Sequence, residues 1–187
     1  AAEAGRDYNT VDMSRVTAMN YYMRPYQAAV EAGVGSIMTS FNEFESIPAT
    51  GNTWLLNDVL RKQWGFNGFV VSDFTAIAEM VNHGIGNSQE VGVKALKAGV
   101  DMDMIADCYH AVLKKSLEEG KITEAEIDSA CRRILIAKYQ LGLFHDQFET
   151  LVNLAVITNI VPYLLCMAAI VVIMKAVNHL GSELKTT

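Results

Sequence analysis

Gly68-Phe69-Val70-Val71-Ser72-Asp73-Phe74 is the stretch whose reading decides the fold. Phe69, Val70 and Val71 are strand formers, and Gly65, Asn67 and Gly68 before them supply turn chemistry. A run this short and this apolar predicts a strand buried on both faces, as in a parallel sheet covered by helices. Ser72 and Asp73 then stand where the strand emerges, at its carboxyl end. In α/β barrels and open parallel sheets that edge is where ligands bind. Asp73 is therefore a candidate functional carboxylate, set against the structural alternative of an Asp capping the next helix.

Two further strands of the same kind are predicted on either side, at residues 35–41 and 100–105. The first ends in Thr39, Ser40 and Asn42, and the second carries Asp101 and Asp103. Roughly thirty residues separate the strand centres, the repeat of a (β/α)8 barrel of about 250 residues. Helical patterns at 53–64 and 88–96 fill the gaps. A helix over 14–32 precedes them, with Gly33 as its stop and Pro25 predicting a break. Behind them come a helix starting at Cys108 or Tyr109 and ending before Gly120, and one opened by the capping box at Thr123 and Glu126 and closed by Gly142. The expected class is α/β, corresponding to the last three β/α units of a TIM-type barrel.

The composition changes near Phe148. Residues 151–174 contain no charge, and such a run is long enough to cross a bilayer as a helix, bent at Pro162. Residues 1–148 are thus expected to form the α/β part, and 149–187 an apolar helical tail from a separate source. The chain has 187 residues and a net charge of −6, which argues against a nucleic-acid partner. Cys108, Cys131 and Cys166 are too few and too widely spaced for a disulfide framework or zinc site. With no Gly-rich phosphate loop either, no cofactor is indicated.

Taken together, Gly5-Arg6-Asp7-Tyr8-Asn9, Ser36 to Asn42, Trp64-Gly65-Phe66, Gly68 to Phe74, Ala98 to Met104 and Gly142-Leu143-Phe144 resemble glycoside hydrolase family 3, in particular its bacterial β-glucosidases. That resemblance implies a retaining hydrolase with Asp73 as nucleophile and with Arg6, Met38, Phe41 and Phe74 lining the sugar pocket. Phe41 and Phe74 stand where family members often carry Tyr and Trp, so the aromatic surface is kept while a hydroxyl and an indole N–H are dropped. The implied substrate is a β-linked glucoside or short oligosaccharide, and the implied location is periplasmic or otherwise extracytoplasmic.

A retaining glycosidase needs one carboxylate to attack and a second, about 5–5.5 Å away, to protonate the leaving oxygen. By the resemblance, the earlier barrel strands, their Lys-His pair and the general acid of a following domain lie outside this chain. Glu43 and Glu45 are the nearest substitutes and read as solvated loop residues. Weak or no activity is therefore expected of the chain alone, with self-association through open sheet edges. The tail around 148–163 is similar to one transmembrane helix of amino-acid/polyamine antiporters, implying membrane association. Two other readings stay open: a membrane-tethered or structural piece without catalysis, and phosphoryl transfer through Asp73 or the Asp101/Asp103 pair.

Overall fold

The computed structural model describes residues 6–8, 10–11 and 13–144. In chain order its elements are β1 (Thr10–Val11), α1 (Arg15–Thr17), a π-helical stretch at Ala18–Tyr22, α2 (Arg24–Glu31), β2 (Ser36–Met38), β3 (Glu43–Phe44), β4 (Ile47–Pro48), a 3-10 turn at Ala49–Gly51, a π-helix at Trp54–Gln63, β5 (Phe69–Val71), α3 (Ala76–Glu79), α4 (Ser88–Ala98), α5 (Cys108–Glu118) and α6 (Glu124–Gln140). A compact unit spans Ala1–Lys138, and a second begins at Tyr139. Of the second, only residues 139–144 are described, and they carry the turn at Gly142 that was expected to stop the helix.

β2 and β5 run parallel, with Ser36 opposite Phe69, Ile37 opposite Val70 and Met38 opposite Val71. The expected third strand at 100–105 is reduced to one parallel bridge, Val71 to Met102. Side chains replace its ladder. The Asp101 carboxylate accepts the Val70 N–H at 2.8 Å, and the Ser72 hydroxyl accepts the Met104 N–H at 2.8 Å. Backbone bonds survive between them, with the Ser72 N–H donating to the Met102 carbonyl at 2.9 Å. The predicted strand at 35–41 also ends early, because after Thr39 the chain turns into β3.

Burial corrects a second expectation. Val70 is completely buried, but Phe69 and Val71 on the opposite face are only half-buried. Ser36, Met38 and Met102 on the neighbouring segments are exposed. Among the described residues the sheet is covered on one face only. On that face Val70 and Val100 pack with Leu56, Leu60, Ile77, Met80, Val91 and Ala95 of the surrounding helices. The other face, which lines the interior of a closed barrel, is open among the described residues.

The helices follow their local signals. Asn87 and Glu90 form a reciprocal capping box at the start of α4, and Gly99 ends it with φ +109°. Thr123 and Glu126 do the same for α6, whose first-turn N–H of Glu126 meets the Thr123 hydroxyl. The single helix expected at 14–32 is divided at Met23, and Pro25 opens the first turn of α2, where its missing N–H is harmless. The helix expected at 53–64 is present as a π-helix, with Trp64 N–H reaching back five residues to Val59. Gly68 precedes β5 where no side chain fits: a Cβ there would run into the Gly35 carbonyl oxygen.

A second small sheet was not foreseen. β1 pairs in parallel with β3, and β3 in antiparallel fashion with β4. The predicted apolar tail at 151–174 lies outside the described residues. Among the described residues no helix is long and apolar enough to cross a membrane.

Candidate active site

Asp73 lies two residues beyond the end of β5 and is half-buried. Its Oδ1 accepts the Phe74 N–H at 2.7 Å, and its own N–H points to the Thr39 hydroxyl at 3.4 Å. Thr39 Oγ1 lies 2.9 Å from Thr50 Oγ1, and both residues are buried. The Thr39 hydroxyl thus bridges the Asp73 N–H and the Thr50 hydroxyl. The backbone after Asp73 is held just as closely. Thr75 has φ +57°, donates its N–H to the Met104 carbonyl at 3.0 Å, and bonds the Phe74 carbonyl and Glu79 through its hydroxyl at 2.7 and 2.9 Å. A β-branched residue in the left-handed region persists only where its surroundings dictate it. The Asp73-Phe74-Thr75 turn is therefore fixed from both flanks.

The other residues expected at the pocket gather at this edge to different degrees. Met38 is the partner of Val71, two residues before Asp73, and half of it is exposed. Phe41 is half-buried and stacks on Tyr8, with ring centroids 4.5 Å apart and planes at 21°. Arg6 is exposed, and its carbonyl accepts from Asn42 Nδ2 at 3.4 Å, which ties the Arg6–Tyr8 loop to the connection between β2 and β3. The Phe74 side chain is 53% exposed. A cleft of about 90 Å³ runs along β2; its lining includes Tyr22, Tyr26, Met38, Thr39 and Trp64 but not Asp73.

Of the two carboxylates expected to be solvated, Glu45 is exposed and Glu43 is half-buried, and both take partners. Glu43, in β3, binds His83 Nδ1 and the Thr10 hydroxyl, and these hydrogen bonds, His83 first, hold its carboxyl below the ordinary value. Glu45 forms a two-pronged pair with Arg15 at 2.7–3.1 Å, which lowers its pKa likewise. A general acid must hold its proton near neutral pH, which requires the opposite shift. Neither residue suits that role.

Asp101 and Asp103 take structural partners. Asp101, its side chain fully buried, accepts from Arg61 at 2.6 Å, from Arg133 at 2.7 and 2.9 Å, and from the Val70 N–H. Asp103 Oδ2 accepts from the Cys108 and Tyr109 N–H groups and so caps α5. Asp101, held by two guanidinium groups and a backbone amide, is not free to act with Asp103 on a phosphoryl group. Among the described residues no group of three metal-ligating side chains is assembled.

Sequence reasoning overlooked Tyr8 and Glu79. The signal for Tyr8 was its place in Arg6-Asp7-Tyr8, a loop brought to the site only by the tertiary fold. Contact with the protein, then the charges of Glu79, Asp73 and Asp7, raise the Tyr8 phenol above its ordinary pKa. Glu79 lies six residues beyond Asp73 on α3, a spacing that carries no motif.

The model of the glycosyl hydrolase family 3 N terminal domain matches residues 1–137. A periplasmic beta-glucosidase of Salmonella typhimurium is 47% identical over 152 residues, covering 81% of this chain and 20% of that protein. A beta-xylosidase of Formosa agariphila is 43% identical over 143 residues, covering 71% of this chain and 20% of its own length. The crystal structure of a beta-glucosidase from Listeria innocua superposes with a TM-score of 0.76 at 46% identity, covering 79% of this chain and 20% of that one. The chain thus spans about 20% of the length of these relatives.

Proposed function

We propose, for a chain that belongs to the N-terminal domain of glycosyl hydrolase family 3, that Asp73 is the nucleophile of a retaining site for β-linked glucosides. The observation that carries this reading is the placement of Asp73 at the carboxyl end of β5, its N–H on Thr39 and its flanking turn held by Thr75. Asp73 attacks the anomeric carbon and forms a glycosyl ester, the aglycone oxygen leaves with a proton, and water then opens the ester. Arg6, Met38, Phe41 and Phe74 form the surround of the sugar in this reading.

Glu43 and Glu45, both held below the ordinary carboxylate value by their partners, are not suited to protonate the leaving oxygen. The proton for the leaving oxygen therefore comes from elsewhere in a complete enzyme. General acid catalysis is worth roughly 10²–10⁴-fold. The 187-residue chain alone is accordingly expected to turn over ordinary β-glucosides poorly, while leaving groups that depart without a proton, such as dinitrophenolate, suffer least. Support for a glucoside comes from the Listeria innocua relative, which has been crystallised in complex with glucose and with laminaribiose. A periplasmic location is part of the same reading, supported by the name of the Salmonella relative.

Two finer parts of the reading rest on the sequence and on exposure. The uncharged run at 151–174 would tether the chain to a membrane, which vesicle flotation of the full chain reports. The open face with Met38, Val71 and Met102 would drive self-association. The site itself is tested by hydrolysis of dinitrophenyl β-glucoside: slow release by the wild-type chain, abolished in Asp73→Asn, is expected. Release that survives this substitution unchanged would refute the nucleophile.

A further inference from the structure

Tyr8 is an exposed aromatic residue stacked on Phe41, just after the end of β2. It is 62% exposed, although one face of its ring is already stacked on Phe41 at 4.5 Å. Burying an aromatic side chain is favourable, and the free face of this ring is available to a ligand. The loop that carries it is anchored rather than adrift: Asn42 Nδ2 donates to the Arg6 carbonyl at 3.4 Å, and Phe41 backs the ring. Its surroundings are acidic, and Glu79, Asp73 and Asp7 all act on its phenol. A phenol raised in pKa stays protonated and remains a donor.

These features match one chemistry. A β-linked pyranose with equatorial hydroxyls has a flat face of C–H groups and a rim of oxygens. The C–H face suits the negative face of an aromatic ring, and the rim suits donors and carboxylates. We propose that Tyr8 is a substrate-binding residue: its ring, backed by Phe41, is the platform on which the pyranose of a β-linked glycoside lies beside Asp73. The inference rests on the reading of Asp73 as nucleophile and adds to it a residue that sets the sugar's orientation. A rigid stacked pair is already ordered before the sugar arrives, so little conformational entropy is lost on binding.

The test is an NMR titration of the full chain with methyl β-glucopyranoside, following the ring resonances of Tyr8 and Phe41. Both are expected to shift with one binding curve. Tyr8→Ala should weaken binding about tenfold, and Tyr8→Phe should stay within about threefold of wild type, because the ring carries the contact. An exposed position makes either variant tolerable to the fold. Saturable sugar binding without a shift at Tyr8, no binding at all, or a Tyr8→Ala curve equal to wild type would overturn the platform. Trapping with a 2-fluoro-glucoside separates the two readings. A Tyr8 shift with no ester at Asp73 keeps the platform and removes the nucleophile. An ester at Asp73 whose concentration dependence ignores Tyr8→Ala keeps the nucleophile and removes the platform.

Discussion

Thr39 and Thr50 meet through buried hydroxyls 2.9 Å apart, and Thr39 faces the N–H of Asp73. Replacing Thr39 by Val keeps the shape but leaves a buried hydroxyl and an amide without a partner, which costs about 1–3 kcal/mol. Thr39→Val is therefore expected to lower the unfolding midpoint in urea, with Thr39→Ser close to wild type. Asp101 is the larger case. Its carboxylate is fully buried between Arg61 and Arg133, and Asp101→Ala would remove the counter-charge of both guanidinium groups. Loss of one partner from such a buried arrangement costs about 3–5 kcal/mol, so a sharp fall in Tm is expected by calorimetry. The sequence made Asp73 visible because a carboxylate ending an apolar run is a local pattern. It could not show what Asp101 does, because its Arg partners lie 40 and 32 residues away.

Helix ends were the most legible elements, since a cap is written within four residues. Asn87→Ala removes the acceptor for the Gln89 and Glu90 N–H groups and is expected to cost about 1 kcal/mol, read from the urea midpoint. The sheet of β1, β3 and β4 was illegible, because strands of two residues have no period to detect. The π-helical form of Trp54–Gln63 was hidden for a related reason: its apolar spacing resembles that of an α-helix closely enough to pass for one. The small sheet also gives the molecule a pH dependence. The Glu43 pKa is depressed below 4.5 by His83 and Thr10, so its contribution to stability is present above about pH 4.5 and is lost as pH falls through the folded value. Tm is expected to drop on acidification through that window. Glu43→Gln should flatten the drop, and an unchanged slope would contradict the tie.

At the scale of the molecule, the parallel pairing of β2 and β5 and the bridge to Met102 are the part of a barrel that the strand spacing predicted. Burial on both faces was misjudged, because an apolar strand looks the same whether its inner face is covered by other strands or open. The open face holds Met38 and Met102, about half exposed. Apolar faces and free strand edges of this kind invite pairing with other chains. Sedimentation velocity is expected to show concentration-dependent association of the full chain, and a monomer at all concentrations would contradict an open sheet. The most direct test of the proposed chemistry is covalent. Incubation with dinitrophenyl 2-deoxy-2-fluoro-β-glucoside, followed by peptide mass mapping, is predicted to place one fluoroglucosyl ester on the peptide containing Asp73 and none on Asp73→Asn. A label on any other carboxylate, or one that persists in Asp73→Asn, would contradict it.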